Sequence, residues 1–228
     1  MPIATSLVAA LFASPAFAAG AAAPVATTYT SVPPMIVNVS SAPNISGSLV
    51  SRLLAETDAM WRGSGFTFVW RRATREGVPY ARTSEAIPSL ASTLRVVIGN
   101  ETVPSRDGTV PLGWIRFEDG ETPQQEIYLS YASVGTLMAV ARDVVGQVDH
   151  MTLNQRETLS ARALGRALAH ELGHYLLASK THTKDGLMKA SRTAAELFAL
   201  EGQGFQIEPS QRQLMAARLR REALIVSR

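Results

Sequence analysis

Residues 170–188 read HELGHYLLASKTHTKDGLM, and three of the chain's four histidines fall inside this window. On a helix, His170 and His174 stand one turn apart on the same face, so both imidazoles reach a single ion. Zinc held by neutral imidazole nitrogens takes a third protein ligand and keeps one position open for water when it performs hydrolysis. His182 is the first candidate for that third ligand, with Glu196 and Asp185 as carboxylate alternatives. Water held there would become more acidic, and a substrate carbonyl would be polarised. Glu171 adjoins a ligand without being needed as one. It can take the water's proton as general base and return it to a leaving amine. The chemistry this points to is peptide-bond hydrolysis.

Such a site needs a helix to carry it. Ala163, Ala167, His170, His174 and Leu177 follow one face at helical spacing, and Leu164, Leu168, Leu172 and Leu176 follow its neighbour. A helix apolar over so much of its surface belongs in a core. An accidental HExxH on a solvated surface helix would not be set in such text, nor be followed by a third histidine.

With these residues in view, the segment resembles the zinc-binding signature of the metzincin metallopeptidases, most of all the matrixin branch, whose motif runs HExxHxxGxxH into a Met-turn. His170, Glu171 and His174 match its first part. Met188, preceded by Gly186 and Leu187, stands where the Met-turn methionine would be, a structural residue beneath the site and not a ligand. The chain departs from the pattern at Leu177, where the family has glycine, and at Lys180, where it has the third histidine. A residue with a Cβ turns poorly at that point, so the helix is expected to run on and deliver the third ligand two residues late, at His182. A gluzincin-like arrangement would instead recruit Glu196.

The resemblance implies an α+β, zincin/metzincin-like fold: a twisted, mixed five-stranded sheet with two main helices above a cleft, and a small helical C-terminal subdomain. The upper part would span about 35–180 and the lower part about 181–228, in a single domain over 35–228. Periodicity along the chain is consistent with this. It predicts a strand over Met35–Val39, a helix carrying Val50, Leu53, Leu54, Thr57, Met60 and Trp61 with Ser48 as its cap, and a strand through Phe66, Phe68 and Trp70. A less regular stretch follows from Ala73 to Ala91. Further strands are expected around Leu94–Ile98, Leu112–Phe117 and Glu126–Tyr131, the last two parted by turn text at Glu118–Gly120 and Pro123. Val134–Val145 reads as helical, and a polar linker with His150 and Asn154 leads to the motif helix. Beyond Met188 come a short helix over Ala194–Leu200 and a last one opened by Pro209, with Met215 and Leu219 inward and Arg218, Arg220 and Arg221 outward. If the resemblance holds, Leu112–Phe117 is the edge strand above the cleft, and an extended peptide substrate pairs with it, which favours endopeptidase action.

Composition narrows the classes. The 228 residues are 46% hydrophobic, enough for one domain with a real core. There is no cysteine, which excludes disulfides and the inhibitory cysteine of a matrixin propeptide. The net charge is +3, with basic residues dispersed, so no nucleic-acid partner is expected. Residues 1–19 read as a signal peptide, although no Lys or Arg precedes the apolar run, and residues 20–34 as a flexible lead-in. Export to a periplasmic or extracellular space is the resulting expectation, with no stable membrane insertion after removal of the signal, a monomeric state, and a peptide or protein substrate. The competing class is a non-catalytic exported binding or structural protein on a zincin scaffold. The intact Glu171 speaks against it.

Overall fold

The computed structural model describes residues 32, 34–72, 94–103 and 111–226. The expected signal peptide and most of the lead-in lie outside these residues, as does the stretch from Ala73 to Ala91. Residues Ser31–Arg228 form one compact unit. Its elements are β1 (Met35–Ser41), α1 (Gly47–Trp61), β2 (Phe68–Arg72), β3 (Arg95–Gly99), β4 (Gly113–Glu118), β5 (Thr122–Ser130), α2 (Tyr131–Val140), α3 (Arg142–Val145), α4 (Leu153–Leu177), α5 (Ala194–Phe198) and α6 (Pro209–Val226), with a 3-10 turn at Val148–His150 before α4.

The architecture is α+β. Five strands form one mixed sheet in the order β2-β1-β3-β5-β4. The first four run parallel, and β4 pairs antiparallel with β5 at the edge. Alternate residues of the inner strands, Val37, Val39, Val96, Ile98, Ile127 and Leu129, are all fully buried and share one core with Leu49, Leu53, Leu164, Leu168 and Leu172 of the helices. Each such side chain contributes about 1.5–3 kcal/mol by leaving water.

Two helices dominate that core. α1 packs along α4, and α4 lies against β4 and β5. Gly165 lets the helices approach closely, since a Cβ there would stand 2.7 Å from the Leu53 carbonyl oxygen. Thr57 uses the same approach to donate from Oγ1 to the Gly165 carbonyl at 3.0 Å. Arg166, wholly buried in α4, pairs with Glu56 of α1 at 2.8 Å and donates to the carbonyls of Glu196, Ala199 and Glu201. It thereby ties the C-terminal segment to the central helix.

Several details differ from the sequence expectations. Ser46, not Ser48, caps α1, because its Oγ accepts from the Leu49 N–H; both serines also donate to Glu157. Pro123 lies inside β5, paired with Phe117 next to a register shift in β4, where an edge pair loses few ladder bonds to an absent N–H. The helix expected over Val134–Val145 is broken at Ala141 into α2 and α3. α4 begins at Leu153, so Asn154 belongs to the helix, held by a capping box between Thr152 and Gln155. Arg218 points inward: it donates to the Tyr175 carbonyl at 2.6 Å, an oxygen at the end of α4 that also accepts from the Ala178 N–H.

Candidate metal centre

α4 carries His170, Glu171 and His174 through its last turns and includes Leu177. The chain reverses at Ala178, one residue beyond the position of the family's glycine, with a left-handed φ of 47°. That reversal is closed by hydrogen bonds from the Ala178 and Ser179 N–H groups to the carbonyls of Tyr175 and His174. It sends residues 179–182 back across the face from which both histidines project.

The result is a three-histidine group that could hold a metal ion. The ligand atoms of His170, His174 and His182 all lie within 4.8 Å of one another. His174 Nε2 stands 3.0 Å from His170 Nε2 and 3.2 Å from His182 Nε2. Three nitrogens bound to one zinc at about 2.0–2.1 Å in tetrahedral array stand about 3.3–3.4 Å apart, close to this spacing. Asp185 and Glu196 are not members of the group. Glu196 is engaged elsewhere, by Lys189, Arg192 and Thr193, which hold its carboxyl down at about 2. His150, at the end of the 3-10 turn, is exposed and also lies outside the group.

The second ring nitrogens decide what the first can do. His170 Nδ1 meets the Leu187 carbonyl at 2.8 Å, and His174 Nδ1 meets the Ser179 carbonyl at 2.7 Å. A carbonyl only accepts, so each ring carries its proton on Nδ1 and leaves a lone pair on Nε2. Two such lone pairs aimed at one another repel unless a cation lies between them. Burial acts in the same direction. It lowers His170 to about 4, against the pull of the Leu187 carbonyl, and also lowers His174 and His182. The three imidazoles are therefore neutral near pH 7, the form in which imidazole binds a metal. The donor set fits zinc.

Glu171 follows His170 on α4, is buried, and lies outside the ligand group. Burial pushes its carboxyl up to about 8, while a hydrogen bond from the Ile115 N–H of β4 pulls it back. The strand register accounts for that bond. Ser130 N–H donates to the Leu112 carbonyl, so Gly113 and Ile115 fall at the non-hydrogen-bonded pairs of the β4–β5 ladder, and their backbone groups face away from β5. Gly113 is needed here, because a Cβ would come within 3.3 Å of Glu171 Cγ.

Met188 is fully buried beneath α4, where Gly173 leaves room for its sulfur. It belongs to a turn in which Gly186 has φ of 76°, Lys189 N–H donates to the Gly186 carbonyl at 3.2 Å, and Thr183 N–H donates to the Met188 carbonyl at 2.9 Å. Sequence reasoning passed over the carbonyls of Ser179 and Leu187, the Ile115 N–H and Gly113. Of these only Gly113 left a sign in the text, as a glycine in an otherwise bulky strand, which marks close approach.

No family model and no curated protein matches the chain. Among solved structures, archaemetzincin from Methanopyrus kandleri is similar over 82% of this chain and 96% of its own, at 14% identity and a TM-score of 0.45. The fold described above rests on its own sheet and helices, and that likeness adds no argument to it.

Proposed function

We propose that the chain is a zinc-dependent metallopeptidase in which His170, His174 and His182 hold the metal and Glu171 is the general base. The observation that carries this reading is the pairing of three converging imidazoles, two with their Nε2 lone pairs fixed by carbonyls, with a buried carboxylate that is on the same helix and not a ligand. Bound there, zinc would supply Lewis acidity toward water and toward a peptide carbonyl.

The rest is the work of the chain's own groups. Glu171 accepts the proton of the attacking water and passes it to the leaving nitrogen, and a cation nearby offsets the burial that otherwise keeps its carboxyl protonated. The outward-facing backbone of Gly113 and the Ile115 carbonyl offer an edge with which an extended peptide pairs by strand addition, beside the Ile115 N–H that Glu171 already engages. Lys180 and Phe117 stand over one end of this edge, with the ammonium 5.2 Å from the ring centroid. A peptide or protein substrate, endopeptidase action and export through residues 1–19 belong to this reading.

Glu171→Ala tests it. The variant is expected to keep one zinc per chain while peptide hydrolysis falls by orders of magnitude. Full activity in the variant would remove Glu171 from the mechanism. Wild-type protein that holds zinc and cleaves no peptide would favour a binding protein on the same scaffold.

A further inference from the structure

Glu196, a carboxylate at plausible ligand spacing, is instead the counter-ion of a guanidinium whose other contacts lead back to the metal centre. Arg192 Nη1 meets Glu196 Oε1 at 3.0 Å. Arg192 Nη2 donates to the Gly186 carbonyl and, at 2.8 Å, to the Gly204 carbonyl. The guanidinium carbon lies 4.2 Å from the centroid of the Phe205 ring, and Arg166 approaches the same ring at 5.0 Å. One planar cation thus joins the turn at Gly186, the loop at Gly204, the helix α5 that bears Glu196, and a buried aromatic ring.

The residue after Gly186 is Leu187, whose carbonyl accepts from His170 Nδ1 at 2.8 Å. The Leu187 N–H donates to the Gln206 carbonyl at 2.8 Å, so the peptide plane between Gly186 and Leu187 is held by the 204–206 segment on one side and by Arg192 and the Lys189 N–H on the other. With φ at 76°, Gly186 has no side chain to restrain it, so the turn depends on these hydrogen bonds. We infer that Arg192 is a positioning residue. By clamping the Gly186 and Gly204 carbonyls it aims the Leu187 carbonyl at His170 Nδ1, which sets the tautomer and ring angle of the first metal ligand. Lysine replaces it only in part, because an ammonium lacks the planar fork that reaches several acceptors while lying on a ring.

This inference rests on the metal-site reading, and its test separates the two. Arg192→Met and Arg192→Lys are compared with wild type and with Val39→Ala, a sheet-core variant that loses stability without touching the 186–206 clamp. In metal-free protein, nitrogen NMR of the histidines is expected to show the His170 Nδ1–H as a slowly exchanging proton in wild type and Val39→Ala, and to lose it in Arg192→Met. In zinc titration, Arg192→Met is expected to weaken Kd by about 10- to 100-fold and Arg192→Lys by less, while Val39→Ala stays near wild type. Absorption of the cobalt-substituted protein is expected to shift only in the Arg192 variants. Should Arg192→Met not fold, Arg192→Lys carries the comparison alone. An Arg192 variant with a wild-type Nδ1–H signal and wild-type cobalt spectrum would overturn the inference. Wild-type protein that takes up no zinc would instead overturn the metal reading, and the metal-free NMR comparison would still decide the role of Arg192.

Discussion

Gly113 of the edge strand and Glu171 of the central helix are in opposition: any Cβ on Gly113 would come within 3.3 Å of Glu171 Cγ, 3.2 Å of the Tyr128 carbonyl oxygen and 2.8 Å of Leu129 Cδ2. Gly113→Val must therefore displace Leu129, and crowds the carboxylate and the strand beside it. Displacing a catalytic group by about 1 Å costs about 100-fold in rate, and peptidase activity is expected to fall on that order with zinc content unchanged. Overpacking adds a stability loss of about 1–3 kcal/mol. Steady-state kinetics beside metal analysis check it, and a variant as active as wild type would refute the proposed crowding.

Ala178 makes the turn from which the third ligand returns, in a left-handed conformation at φ 47°. That conformation strains any residue with a Cβ by about 1–2 kcal/mol, and glycine adopts it freely. Ala178→Gly is expected to stabilise the protein by about 1 kcal/mol, seen as a Tm higher by about 2–4 °C. A lower Tm would mean that the turn is held by something other than its backbone preference.

Glu196 provides an acid-stability signature away from the ligands. Lys189, Arg192 and the Thr193 N–H hold its carboxyl at about 2, below the ordinary 4.5. A carboxyl depressed in the folded state contributes stability that is complete above its unfolded value and lost as pH falls through the folded one. Wild type should therefore exceed Glu196→Gln in urea midpoint at pH 7, and the gap should close between about pH 4.5 and 2. A gap that is independent of pH would show that the charge of Glu196 is not what stabilises the fold.

Zinc should act as a folding ligand. Free zinc at about 100 times its Kd stabilises a one-site protein by about 2.7 kcal/mol, and a chelator removes the gain. Thermal melts with zinc and with chelator are expected to separate for wild type. They should nearly coincide for His182→Ala, which leaves two imidazoles. Equal separation in both proteins would remove His182 from the site.

Much of this was legible in the text of the chain. The strands and the two large helices followed from periodicities of two and of about 3.6 residues, because burial repeats with the geometry of each element, whereas the edge strand was expected only from the resemblance. The capping box at Thr152 and Gln155 was equally present in the letters, and it shows α4 starting at Leu153. Arg218 misled, because its place on a polar face of α6 gave no sign that the Tyr175 carbonyl at the end of α4 lay opposite.

The spacing of His170, Glu171 and His174 along one helix was determined by the sequence alone, since neighbours within a turn are placed by backbone geometry whatever surrounds them. Which residue would join them was decided only in three dimensions. His182, Asp185 and Glu196 are all near in sequence, but the reversal at Ala178 brings His182 to the ligand face while Lys189 and Arg192 draw Glu196 away. Local geometry is written in periodicity. Convergence of separate segments depends on where turns and buried cations direct the chain, and no spacing rule records that.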